Sequence, residues 1–247
     1  MEKVKLGDLK SCDVLLFKGT SFVSRMIRLA DNGCYSHAAL YIGLSDKGVP
    51  QIAEMLGGED SGLKVGNISD RTKNEDVDVY RYYGDDGKVM ADGQLVLDHE
   101  SDYFKKGEAY AYDEILLLSI LCITRRINIP FVEPILRHIF DQAADVIASL
   151  FKGKKEPMIC SEFVYRCFTE AGLLLTIPGA DLIISQAKIK DAGALLANDL
   201  EAHQASLLQN YFAARSTLSL PIQAVATFVT PNDLARSPNL QKLGQLG

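Results

Sequence analysis

Residues 157–172 constrain the fold most, because they predict a helix that is buried along one face. Apolar or thiol side chains recur at the spacing of a single helix face, at positions 160, 163, 164, 167, 168 and 171. Pro157 marks the start of this pattern, and Gly172 lies just past its end, where a left-handed cap is common. Cys160 is therefore predicted to lie in the first turn and to face the interior.

A cysteine in the first helical turn has two interpretations. Backbone N–H groups in that turn lack an intrahelical partner, and the helix dipole places partial positive charge there. Both effects favour the thiolate, which is the reactive form of cysteine. The alternative is that Cys160 is a small core residue, since free cysteine is among the most buried residue types. A partner for the thiol would favour the first interpretation.

Two apolar runs upstream supply candidate partners. Residues 34–43 predict a largely buried strand, with His37 near its beginning. Residues 51–56 predict the next strand, and Glu54 lies in the middle of that run. The polar loop at 44–50 joins the two runs, so we expect the strands to be antiparallel neighbours.

These residue types form a nucleophile, a base and an orienting acid. An unpaired buried carboxylate is costly, so Glu54 needs a partner, and a histidine on the neighbouring strand would supply it. Glu54 could then fix the imidazole tautomer and stabilise the imidazolium. His37 could act as the general base for the thiol of Cys160. We predict Cys160, His37 and Glu54 as the catalytic residues.

The same stretches carry a resemblance to a known family. Ser36-His37-Ala38-Ala39-Leu40-Tyr41-Ile42-Gly43, then Glu54, then Cys160-Ser161-Glu162-Phe163-Val164, resemble the circularly permuted papain-like enzymes of the NlpC superfamily. The branch most similar is that of YiiX/YaeF-type proteins, which are related to lecithin–retinol acyltransferase. The order His, Glu, Cys is the permuted one. The segment 107–113 is similar to the Gly-x-x-Tyr-x-Tyr segment of the family.

The resemblance implies a fold and a substrate cleft. It implies an α+β, permuted papain-like domain, in which an antiparallel sheet packs against the helix that carries the catalytic cysteine. We expect Tyr35, Tyr110 and Tyr112 to contribute to substrate binding. The implied activity is cysteine-dependent hydrolysis or acyl transfer.

Length, charge and cysteine content limit the remaining function classes. The 247 residues suffice for one large domain or two small ones. A net charge of −6 without a basic cluster argues against nucleic acid or an anionic membrane surface as partner. The five cysteines show no metal or redox spacing, and free thiols in a reducing compartment are the simplest account. The acyl-transfer chemistry expected of Cys160 needs neither a metal nor an organic cofactor. The start of the chain lacks the apolar core of a signal peptide, and no apolar run could span a membrane. We expect a cytoplasmic protein, unless a signal-independent route exports it.

We expect a single domain over residues 1–247, with a helical insertion at 114–156 and a C-terminal extension at 176–247 packed on it. The insertion contains two apolar segments of helical spacing. They either complete the core or form a lid that binds an acyl chain. The second interpretation would also allow peripheral contact with lipid.

The sequence therefore predicts a hydrolase of amide or ester bonds that works through an acyl-enzyme thioester on Cys160. The competing interpretation is a non-enzymatic module that keeps the fold and binds a lipid or a protein. Reactivity of the thiol separates the two. Peptidoglycan peptides, fatty-acyl lipids and protein amides all remain open as substrates.

Overall fold

The computed structural model describes residues 3–19, 33–56, 62–90, 93–106, 109–110, 157–178 and 229–247. The predicted insertion at 114–156 lies outside the described residues, as do Tyr112 and most of the predicted C-terminal extension.

The described residues contain nine strands and four α-helices, with a 3₁₀ turn at Leu6–Asp8. The strands are β1 Lys3–Val4, β2 Val14–Phe17, β3 His37–Leu44, β4 Pro50–Leu56, β5 Gly62–Asn67, β6 Val77–Tyr82, β7 Ala109–Tyr110, β8 Pro157–Met158 and β9 Leu240–Leu246. The helices are α1 Ile68–Thr72, α2 Gln94–Lys106, α3 Cys160–Glu170 and α4 Pro231–Arg236.

Seven strands form one sheet in the order β1-β9-β6-β2-β3-β4-β5. Its neighbours are antiparallel, except that β1 and β9 run parallel. The short strands β7 and β8 pair in parallel as a second sheet. The protein is thus a mixed α+β fold. The pairing of β3 with β4 confirms that the strands predicted at 34–43 and 51–56 are antiparallel neighbours, although β3 begins at His37.

The large sheet buries both of its faces. Because side chains alternate along a strand, Ala38 and Leu40 of β3 join one hydrophobic cluster, and Ala39 and Tyr41 join another. The first cluster includes the inward side chains of α3, among them Phe163, which is fully buried. The helix predicted from the apolar periodicity is therefore packed on one face of the sheet.

The ends of α3 agree with the sequence prediction. The helix begins at Cys160, after Ile159 in an extended conformation, and the N–H of Phe163 donates to the carbonyl of Ile159 at 2.9 Å. Gly172 has a φ of +77°, a left-handed conformation that is cheap for glycine. The N–H of Leu173 then reaches back to the carbonyl of Phe168 at 3.0 Å.

The C-terminal residues are part of the sheet. Strand β9, near the end of the chain, lies between β1 and β6 and is hydrogen-bonded to both. Helix α4 precedes β9 and starts with a capping box between Thr230 and Asp233. Among the described residues, no helix is long and apolar enough to cross a membrane.

Candidate active site

His37 and Glu54 meet across the β3–β4 pair. His37 is the first residue of β3, and Glu54 lies on β4 opposite Ala39. The Nε2 atom of His37 lies 2.7 Å from Oε2 of Glu54. Glu54 is 3% exposed, so its carboxylate depends on protein partners instead of water.

Arg71 is a second partner of Glu54 that the sequence analysis missed. Its Nε donates to both carboxylate oxygens of Glu54, at 2.9 and 3.0 Å. The guanidinium also lies over the ring of Phe17, 5.0 Å from the ring centroid. Phe17 in turn packs edge-on against the imidazole of His37. Arg71 therefore holds Glu54 in place and, through Phe17, links it to the imidazole of His37.

Cys160 approaches the imidazole from the α3 side of the sheet. The thiol is buried, and it interacts with His37. Because Nε2 of His37 contacts Glu54, Nδ1 is the ring nitrogen left to face the sulfur. The backbone N–H groups of Ala38 and Ser161 also favour negative charge on the sulfur and so lower its pKa. The sulfur thus sits where the N-terminus of α3 meets the beginning of β3.

The charges of the three groups support one another. Burial opposes charge on His37, but the Cys160 thiolate and the Glu54 carboxylate outweigh it and raise the pKa of His37 to about 9. Burial also opposes the thiolate, yet the imidazolium and the two backbone N–H groups lower the pKa of Cys160. Burial would raise the pKa of Glu54, whereas His37 and Arg71 lower it. These interactions favour the charged forms of Cys160 and His37 together.

The other described cysteines lie in different surroundings. Burial raises the pKa of Cys167 well above the ordinary thiol value, and the nearby carboxylate of Glu100 adds to this effect. Cys12 is buried, and its sulfur contacts the carbonyl of Gly93 at 3.3 Å. Cys34 is exposed. The pKa of Cys160 is thus lowered, whereas that of Cys167 on the same helix is raised.

The tyrosines predicted to bind substrate occupy three different situations. Tyr35 is buried, and its hydroxyl donates to Asp78 at 2.5 Å and contacts the hydroxyl of Tyr80 at 2.9 Å. Tyr110 is described by its backbone alone, which pairs with Met158 beside the start of α3. Tyr112 lies outside the described residues. Substrate binding by these residues stays a prediction.

Residues 229–232 form hydrogen bonds to the segments that carry His37 and Cys160. The Asn232 side chain accepts from the N–H of Tyr35 and donates to its carbonyl, each at 2.9 Å. The hydroxyl of Ser161 donates to the carbonyl of Val229 at 2.7 Å. A side chain at Gly33 would lie 2.1 Å from Asn232, so this contact requires glycine. Residues 229–232 thus fix the segment before His37 and the start of α3 relative to each other.

Replacing Asn232 by Ala should slow the reaction of Cys160 with iodoacetamide and lower the melting temperature. Two buried hydrogen bonds are lost, which we expect to cost about 1–3 kcal/mol of stability. The control is Asn239→Ala, since Asn239 is also buried and bonds Thr176 and Tyr83 away from the site. Equal labelling rates in the two folded variants would rule out a positioning role for Asn232.

The described residues hold no group of three or more His, Cys, Asp or Glu side chains that could bind a metal ion.

Comparison with known proteins gives a limited result. No model of a known protein family matches the sequence. No curated protein matches it either. A solved structure that is similar is that of the metalloprotein yiiX from Escherichia coli O157:H7, described as DUF1105, with 15% identity and a TM-score of 0.48. The similarity covers 96% of this chain and 97% of that one.

Proposed function

We propose that the chain is a cysteine hydrolase with a permuted papain-like arrangement, in which Cys160 is the nucleophile, His37 the acid–base and Glu54 the orienting group. The observation that carries the proposal is the convergence of these residues from β3, β4 and the first turn of α3. The imidazole contacts Glu54 at 2.7 Å through one nitrogen, which leaves the other for the thiol. Covalent catalysis requires a nucleophile and a general base within reach of each other, and a third group that orients the base.

In the acylation step, the Cys160 thiolate attacks the carbonyl carbon of an amide or ester, and a C–S bond forms. The negative charge moves to the carbonyl oxygen. The N–H of Cys160 can stabilise that oxyanion, because the first N–H groups of a helix have no intrahelical acceptor. The tetrahedral intermediate collapses as the leaving group takes a proton from the His37 imidazolium. The product is a thioester on Cys160.

In the deacylation step, neutral His37 takes a proton from water as the water oxygen attacks the thioester. Breakage of the C–S bond releases the acid and regenerates the thiolate–imidazolium pair. Glu54 supports both steps, because its carboxylate stabilises the imidazolium and holds the ring in one orientation. The raised pKa of His37, about 9, keeps the leaving-group proton available at neutral pH.

Cys160 should react with iodoacetamide at pH 6 faster than Cys34. The reason is that the lowered pKa of Cys160 gives it a larger thiolate fraction at pH 6 than an ordinary thiol has. Cys34 is the matched control, since it is exposed and therefore has the advantage of access. Peptide mapping by mass spectrometry at several times gives the rate at each cysteine.

The proposal fails if Cys160 labels no faster than Cys34 at pH 6. A burial effect alone predicts that outcome, because a desolvated neutral thiol is both unreactive and less accessible. If Cys160 does label faster, profiling with acyl and peptide electrophiles, followed by mapping of the modified residue, would identify the class of substrate.

A further inference from the structure

A second polar cluster lies on the sheet face that packs against α3. At its centre is Asp78 of β6, which is fully buried. Its Oδ2 atom accepts from the Tyr35 hydroxyl at 2.5 Å and contacts Nζ of Lys18 at 3.0 Å and Nζ of Lys242 at 2.6 Å. The Tyr80 hydroxyl joins through Tyr35 at 2.9 Å. None of these groups takes part in the catalytic steps above.

The charges of this cluster do not balance. Two ammonium groups share a single carboxylate oxygen, so they are held close together, and these three groups carry a formal charge of +1. The other oxygen, Oδ1, is buried and has no hydrogen-bond partner. Most buried side-chain polar atoms have a hydrogen-bond partner, so the unpartnered Oδ1 of Asp78 is unusual. The excess positive charge stands out in a chain whose net charge is −6.

The two lysine side chains of the cluster are partly exposed to solvent. The side chain of Lys18 is 22% exposed and that of Lys242 is 36% exposed, while Asp78 beneath them is 0% exposed. Each ammonium carries three N–H donors, so donors remain after the bond to Asp78. The carboxylate therefore anchors the two lysines from below, and their remaining donors are available to a ligand.

The cluster lies at the same end of the sheet as the nucleophile. Strand β2 ends at Phe17, and strands β3 and β6 begin at His37 and Val77, so these three ends meet. Asp78, Leu16 and Ala38 are directly opposite one another on successive strands. Since neighbouring strands are about 4.8 Å apart, Asp78 lies roughly 10 Å from Ala38, whose N–H favours negative charge on the Cys160 sulfur.

We propose that Lys18 and Lys242 bind an anionic group of the substrate, a carboxylate or a phosphate, on the order of 10 Å from Cys160, which is the separation of Asp78 and Ala38 across β2. This inference rests on the proposed function and narrows its substrate class to acyl compounds that carry a negative charge at that distance. Tyr35, predicted from the sequence as a substrate-binding residue, acts here as a support: its hydroxyl holds the Asp78 carboxylate that anchors both lysines.

Three alkylating probes of equal length test the anion site. They are iodoacetyl-glycylglycine, its C-terminal amide, and the analogue with a phosphonate in place of the carboxylate. In each, the thiolate displaces iodide, a C–S bond forms and the C–I bond breaks. An extended residue spans about 3.5 Å, so the terminal group lies roughly 10 Å from the reacting carbon. The rate of Cys160 modification is measured by mass spectrometry for each probe.

One or both anionic probes should modify Cys160 about tenfold faster than the neutral amide, and added salt should reduce this preference. The faster of the two anionic probes identifies the preferred anion. Lys18→Gln and Lys242→Gln should each lose the preference while keeping the wild-type rate with iodoacetamide. Lys47→Gln is the matched control, because Lys47 is exposed in the β3–β4 turn at the opposite end of the strand. That variant should keep the preference.

Equal rates for the three probes in the wild-type protein would overturn the anion site, and so would a preference that survives in both folded Lys18 and Lys242 variants. The wild-type comparison needs no variant, so a failure of the variants to fold does not weaken it. The probe ratio is also measured at pH 9, where an ordinary thiol reacts as well. The ratio at pH 9 therefore shows whether the anion site exists, even if slow iodoacetamide labelling at pH 6 has already ruled out Cys160 as the nucleophile.

Discussion

Replacing His37 by Asn is expected to lower turnover by about four orders of magnitude or more and to slow the alkylation of Cys160 at pH 6. Turnover falls because no group remains to protonate the leaving group or to deprotonate water. Alkylation slows because the imidazolium is the main group that lowers the pKa of Cys160 against burial. The thiol should then titrate at a higher pH, and its rate at pH 6 should fall with the thiolate fraction.

The matched control for this variant is His99→Asn. His99 lies on α2, where its Nδ1 is 3.7 Å from a carboxylate oxygen of Glu170, away from the thiol. We expect that variant to keep wild-type rates in both assays. The rate of iodoacetamide labelling between pH 5 and 10 gives the pKa of Cys160 directly in each protein. An unchanged pH profile in the folded His37→Asn variant would show that the imidazole does not stabilise the thiolate.

Local sequence patterns predicted the elements that carry the proposed catalytic residues. The positions of His37 at the start of a strand, of Glu54 inside the next strand and of Cys160 at the start of a helix follow from periodicity and from a short connection. Such signals depend on residues close in the chain, so they can be read without the fold. The catalytic roles themselves stay predictions.

The partners of these residues depend on the tertiary structure and could not be predicted in the same way. Arg71 reaches Glu54 because β5 pairs with β4 and the short helix α1 follows β5 directly. A helix of five residues is too short to show a clear apolar periodicity in the sequence. Asn232 forms a hydrogen bond with Tyr35, which is far from it in the sequence, so no local pattern could indicate this contact. Strand β9 has Gly244 in its interior and weak alternation, so nothing local marked it as a strand inside the sheet.

The partners of Asp78 are a different case, because the sequence pattern around this residue did indicate that it needs partners. Asp78 lies within the alternating apolar run of β6, as Glu54 lies within β4. The argument that a buried acid needs a partner applied to both residues. For Glu54 it indicated the neighbouring histidine. Applied to Asp78, it would have predicted cationic partners, although Lys18 and Lys242 come from opposite ends of the sequence.

Replacing Glu54 by Gln is expected to lower turnover by about 10²- to 10⁴-fold while the fold is retained. The amide can still accept a hydrogen bond from His37, but it carries no charge to stabilise the imidazolium. It also leaves the Arg71 guanidinium without its carboxylate, which we expect to cost about 1–3 kcal/mol of stability. Turnover and the free energy of unfolding are therefore both measured for the variant.

The pH dependence of that stability loss identifies its cause. Partners lower the pKa of Glu54 in the folded protein below the ordinary carboxyl value of 4.5. A carboxylate of this kind stabilises the fold above its unfolded pKa, and the contribution is lost as the pH falls through the folded pKa. The stability difference between wild type and Glu54→Gln should therefore be complete at pH 7 and should shrink as the pH falls below 4.5.

Arg71→Gln separates the electrostatic role of Glu54 from a purely structural one. This variant keeps the carboxylate beside His37 and removes its second partner, so the pKa of Glu54 should rise while most of the turnover at pH 7 remains. If Glu54 only anchors the hairpin and Arg71, both variants should lose similar stability and neither should lose turnover once folded. A folded Glu54→Gln protein with wild-type turnover would remove Glu54 from the mechanism and leave the imidazolium to be stabilised by the Cys160 thiolate alone.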